Sequence, residues 1–328
     1  MSHPSPFAAD SPTSASASAV DPLPRWPALH TLLWHRPLVW AAAAMAVLVV
    51  VCLVGLAVDP RTLTGAPVWE KPLKFSISIL IYAVTLAWLL GILGARHRQL
   101  AWWIGTVSTV TLAVEMVIIV GAAMAGITSH FNVSTTLSSA LWSIMAASIV
   151  IVWMSALLTA VLLFRTDLGD PARSLAIRGG MVIAVIGMGL AFLMTGPTAA
   201  QLDSFQGIAG AHTVGVPDGG PGLPLLGWST VAGDLRIPHF VGMHALQMIP
   251  LTALLLELVS ARAPLLRTSA TRLRIVWIVI GAYLGVLAIL TGQALAGQSI
   301  VQPGIVVVTL VALLSAVAAV ALLAVLLA

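Results

Sequence analysis

The stretch LVWAAAAMAVLVVVCLVGLAV, residues 38–58, holds no charged side chain over its whole length. An α-helix rises 1.5 Å per residue, so about 20 such residues span the hydrocarbon core of a bilayer. Outward from this run the pattern repeats. Apolar runs between breakers give eight predicted spans, at 38–58, 73–94, 101–126, 137–164, 177–198, 238–260, 273–294 and 304–327. Over the 328 residues 59% are hydrophobic and 8% charged, against roughly 25% charged in a soluble domain. The fold class is therefore an all-α polytopic transmembrane bundle in contact with the lipid bilayer. A sequence pI near 10.0 points to nucleic acid in a soluble chain. Here the basic residues flank apolar spans instead, and no nucleic-acid partner is expected.

Residues 1–24 (MSHPSPFAADSPTSASASAVDPLP) have no periodicity and are rich in Ser, Ala and Pro, which reads as disorder. This gives an organisation of a disordered cytoplasmic tail over 1–36 and a membrane domain over 37–328. The first span is long and lacks a small-residue cleavage site, so it reads as a retained helix rather than a signal peptide. Pro60, Pro72, Pro171, Pro197, Pro238 and Pro303 fall at or near span ends, whereas Pro250 lies inside the sixth span and predicts a kink. Gly179, Gly180, Gly187 and Gly189, and Ala122 with Gly126, form small faces suited to close helix packing. Cys52 is the single cysteine, which excludes an internal disulfide and a cysteine-based metal site.

Eleven of the fifteen Lys and Arg residues (Arg25, Arg36, Arg96, Arg98, Arg165, Arg173, Arg178, Arg262, Arg267, Arg272 and Arg274) fall on one side of the eight spans. Arg61, Lys71, Lys74 and Arg236 fall on the other. The positive-inside rule then places both termini in the cytoplasm and the chain in the inner (plasma) membrane. Trp34, Trp40, Trp102, Trp103 and Trp277 fall at the predicted inner boundary, as an aromatic belt does.

The rare polar residues sort by side as well. His3, His30, His35 and His97 read as solvated cytoplasmic residues, while His130, His212, His239 and His244 fall on the outer side. Glu70, Lys71 and Lys74 stand at the entry to the second span, an expensive place for charge unless the groups pair or face a cavity. Asp203, Asp218 and Gln293 also lie on that side. The one long connection, 199–237, carries Val, Leu, Ile and Trp228 among its glycines and reads as an ordered outer cap. It leads into GDLRIPHFVGMHALQMIP (233–250), where Asp234 and Arg236 can pair. His244 lies about 7 to 8 Å deeper than His239 and about 140° around the helix, with Gln247 on its own face. Those two histidines are thus poorly placed to chelate one ion. Glu115, in TLAVEMVII (111–119), is an intramembrane acid that should face the bundle interior, as a proton relay, a cation site, a metal ligand or a neutral acid bonded between helices.

The strings WEKPLKFS (69–76), SHFN (129–132) and LRIPHFVGMHALQ (235–247) resemble those of uncharacterised multi-pass membrane proteins of GC-rich bacteria, which implies no activity. Eight helices with four outer histidines is similar in outline to the haem A synthase architecture. That family sets its histidines in two repeated halves. Here His130 and His212 lie in loops and both helical histidines on one span, so its ligand assignment does not transfer. The predicted outer pocket comprises Glu70, His130, His212, Asp234, Arg236, His239, His244 and Gln247. One reading is a metal- or haem-dependent redox enzyme. In it His130, His212, His239 and His244 are metal ligands, His239 and His244 the cofactor-binding pair, and Glu70, Asp234, Arg236 and Gln247 the catalytic groups. A transporter or channel using Glu115 and a non-catalytic subunit docking a membrane-protein partner are the other two.

Overall fold

A computed structural model describes residues 32–327. Eight of its helices are long and apolar enough to cross a membrane, and the chain is an integral membrane protein. They are α1 Arg36–Val58, α2 Glu70–Gly91, α3 Arg98–Ala125, α4 Thr136–Phe164, α5 Pro171–Gly189, α6 Arg236–Ser260, α7 Ser269–Leu295 and α8 Ile305–Leu327. The predicted disordered tail lies, apart from its last five residues, outside the described residues, as do His3, His30 and Arg25.

The helix starts follow from local chemistry. Thr135, Asp170 and Thr268 each accept a bond from a backbone N–H of the first turn of α4, α5 and α7, satisfying donors that no helix can satisfy itself. Gly126, in a left-handed conformation at φ 70°, ends α3. α5 begins six residues before the expected span, because its two arginines have partners beyond the apolar run. Arg173 pairs with Glu257 of α6 at 2.9 Å, and Arg178 donates to the carbonyls of Leu163 and Thr166. α6 continues through Pro250 as one helix.

Helices α2, α3, α4, α5 and α6 pack in succession to form a wall. α1 lies outside α2 and α3, α7 lies outside α5 and α6, and α8 rests on α7 with no buried residue. The α5 and α6 pair is the most intimate. Gly187 and Gly242 face each other there, and a Cβ on either would collide with the other's backbone. Gly180 likewise lies against the Ala245 carbonyl and the Pro250 ring. Away from the cap, an apolar layer of Leu38, Ala83, Leu86, Leu90, Ala160 and Met181 fills the bundle axis. At that end Asp170 pairs with Arg272 at 2.9 Å, tying α5 to α7.

His35 overturns its expected solvated role. It is fully buried, bonded to the Leu38 N–H and the Trp102 carbonyl. Gly105 makes this possible, since a Cβ there would lie 2.7 Å from the imidazole.

At the other end the segment between α5 and α6 forms a cap. Strands β3 Thr213–Val214 and β4 Gly233–Asp234 pair antiparallel, and bridges join Asn132 to Ile208 and Gly222 to Ser229. A small hairpin, β1 Thr62–Leu63 with β2 Ala66–Pro67, lies between α1 and α2. Its Gly65, at φ 78°, approaches Gly219 of the cap so closely that a Cβ would lie 2.9 Å from the Gly219 carbonyl oxygen.

Candidate functional site

The five-helix wall and the cap enclose a cavity of about 1970 Å³. Its lining runs down α2 to Tyr82 and down α6 to Met248. Each is twelve residues from the cap end of its helix, or about 18 Å, against about 30 Å for a hydrocarbon core. Leu112, Ile119, Met145, Ile149, Met188 and Leu246 are among its apolar walls. Between α2 and α6 the wall is closed in part by the cap itself. Lys74 of α2 donates to the Leu226 carbonyl, Arg236 of α6 donates to the Gly227 carbonyl, and Trp228 stacks edge-on against Phe240. Deeper down, Gln247 Nε2 donates to Thr85 Oγ1 at 3.1 Å and joins the same two helices.

Seven of the eight residues expected in one pocket line this cavity: Glu70, His130, His212, Arg236, His239, His244 and Gln247. Asp234 does not. It is buried behind the cap, where it pairs with Arg236 at 2.6 Å and accepts from the Ser229 N–H. Its role is to hold Arg236 and the end of the cap. Glu70 pairs with Lys74 at 2.7 Å. Asp203 is exposed and outside the lining.

The histidines are individually anchored. His239 Nδ1 donates to the Gly187 carbonyl at 2.8 Å, which the Gly187–Gly242 approach brings within reach. His244 Nδ1 donates to Gln247 Oε1 at 3.1 Å, and His212 Nδ1 to Asp218 Oδ2 at 2.6 Å. In a neutral ring each of these bonds leaves Nε2 with a lone pair. His130 is packed among the rings of Phe75, Phe131 and Trp142. Burial, with Lys71 and His212 nearby, pushes its imidazole well below the usual range. Burial also lowers His212, against the pull of Asp218. Partial desolvation raises the Asp218 carboxyl, yet bonds from the His212 ring, from Thr213 and from the His212 N–H hold it well below the ordinary value.

Among the described residues, no three His, Cys, Asp or Glu side chains are grouped so that they could hold a metal ion. His130, His212, His239 and His244 thus form no such group among the described residues. The cause is visible in the anchors, which fix the rings to three different elements: α6 to α5, α6 to itself, and the cap to itself.

Glu115, Tyr82 and Lys71 line the cavity without a hydrogen bond among the described residues. Both oxygens of Glu115 are buried without a hydrogen bond, and His130 Nε2 lies 3.8 Å from one of them. The Tyr82 hydroxyl is buried and unbonded. Lys71 lines the cavity and makes no ion pair or hydrogen bond among the described residues. Sequence reasoning registered Lys71 as a costly charge but left it out of the site. Tyr82 carried no signal, since a tyrosine in an apolar run reads as core. Comparison of the chain with family models, with curated proteins and with solved structures found no match.

Proposed function

We propose that the protein binds an amphipathic molecule in the cap-side cavity, at the extracytoplasmic face of the inner membrane. One observation carries this reading: a single large cavity joins apolar walls to Lys71, Tyr82 and Glu115, which make no hydrogen bond among the described residues. Tyr82 and Glu115 are buried there, and leaving such groups unbonded costs about 1–3 kcal/mol each. A ligand with an apolar body and a polar end relieves that cost while filling the remaining volume. The apolar layer beneath the cavity supports binding over conduction, because it offers no polar route to the far end. The side assignment rests on the distribution of Lys and Arg along the chain.

The test is stabilisation by ligand. Long-chain amphiphiles added to detergent-purified protein should raise the unfolding midpoint, increasingly with the logarithm of their concentration above Kd. Ala146→Trp, which fills the cavity from α4, should abolish the rise. Equal shifts in the two proteins would refute the reading.

A second reading, a haem or a metal held by one or two imidazoles, is favoured by a specific observation. His212, His239 and His244 each anchor Nδ1 on an oxygen and leave Nε2 without a hydrogen bond among the described residues, which is the arrangement that orients ligating histidines. A Soret band or stoichiometric metal in the purified protein supports it. Protein prepared with added haem and transition metals that shows neither removes it.

A further inference from the structure

We propose that the polar end of the ligand is a zwitterion, an anionic group joined to a primary ammonium, held between Lys71 and Glu115. This rests on the ligand-binding reading above and names the head group that the same cavity takes.

The argument is one of charges left over. Glu70 is answered by Lys74 and Asp234 by Arg236, while Asp218 is exposed and is bonded by the His212 ring and by Thr213. Lys71 and Glu115 line the same cavity, come from different helices, and do not reach ion-pair distance of each other. Glu115 has no exposed surface, so bulk water cannot solvate its carboxylate. A purely anionic head satisfies Lys71 and sets a second negative charge beside Glu115. A purely cationic head does the reverse, and an uncharged head leaves both groups facing an apolar wall. A head with both charges places its acid oxygens on the Lys71 ammonium and its N–H donors on the Glu115 oxygens. His130 Nε2, 3.8 Å from Glu115, stands beside it as a further polar contact. A primary ammonium suits the site because each Glu115 oxygen lacks a donor and it offers three N–H groups, where a quaternary nitrogen offers none.

The experiment measures binding of short-chain diacyl phosphoethanolamine, phosphocholine and phosphoglycerol to detergent-purified full-length protein, with chain-free phosphoethanolamine alongside. The ethanolamine lipid should bind about tenfold or more tighter than the other two lipids, and the chain-free head should not bind. Glu115→Gln, isosteric and uncharged, should weaken the ethanolamine lipid to the level of the glycerol lipid and leave the glycerol lipid unchanged. Lys71→Met should weaken all three lipids, with Lys71→Arg restoring them. Equal affinity for the three lipids, or a Glu115→Gln variant that keeps the ethanolamine preference, overturns the zwitterion proposal while leaving the cavity reading in place. Failure of every lipid to bind, or binding by the chain-free head as tight as by the lipids, overturns the cavity reading itself.

Discussion

Replacing Gly187 by alanine tests how the packing of α5 on α6 supports the site. A Cβ built on Gly187 collides with the backbone carbons of Gly242 and lies 2.5 Å from the Met243 nitrogen. Ordinary contacts between carbon atoms are about 3.5–4.0 Å, so the two helices must part by about 1 Å. Overpacking of this kind costs about 1–3 kcal/mol. The separation also lengthens the 2.8 Å bond from His239 to the Gly187 carbonyl, worth about 0.5–1.5 kcal/mol. Together these effects amount to about 2–4 kcal/mol. Gly121 provides the control, because it is also helical and a Cβ there meets nothing within 4 Å. Gly121→Ala should be neutral or stabilising by up to about 1 kcal/mol, through the lower backbone entropy of the unfolded chain. Both variants can be followed by reversible unfolding in mixed detergent micelles. If Gly187→Ala proves as stable as Gly121→Ala, the close contact is not what positions His239 and the packing account is wrong.

Other outcomes follow from the same geometry. Asp170→Ala removes the first-turn cap of α5 and leaves Arg272 without its carboxylate, which should cost about 3 kcal/mol or more. Combining Asp170→Leu with Arg272→Met, which removes both charges together, should recover most of that loss in the same unfolding assay. His35, His130 and His212 are all held below the ordinary imidazole value. The unfolded chain therefore binds more protons than the folded one below about pH 6.5, so stability is kept above that pH and lost as pH falls toward the folded values, by up to about 1.4 kcal/mol per pH unit for each histidine. Unfolding midpoints at pH 7 and pH 5 check this, and His130→Gln should flatten the slope. In a Cys52→Ala background, Gly220→Cys in the cap should react with an impermeant maleimide in intact cells and Gly169→Cys should not, as both termini in the cytoplasm requires.

The helices were legible because membrane thickness sets their length and the sequence must supply that many apolar residues. Seven of the eight observed starts lie within four residues of the expected ones. α5 departs because Arg173 and Arg178 find partners on Glu257 and on backbone carbonyls, and partners are not visible in a linear pattern. His35 failed for the same reason, its burial depending on a glycine seventy residues away. The cap-side polar residues pointed to a cavity because charge near a bilayer is costly and tends to be sheltered. Which of them would be satisfied could not be read. Asp234 and Glu70 reach cations two and four residues along the chain, while Lys71, passed over by the Glu70–Lys74 pair, is left facing the space that Glu115 also lines.

The most direct test of the cavity reading is the composition of the protein as isolated. Denaturing extraction and mass spectrometry should recover an amphiphile from purified wild-type protein in near one-to-one ratio, and little or none from Ala146→Trp prepared in the same way. Wild-type protein that yields no amphiphile above the level of the Ala146→Trp variant would contradict it.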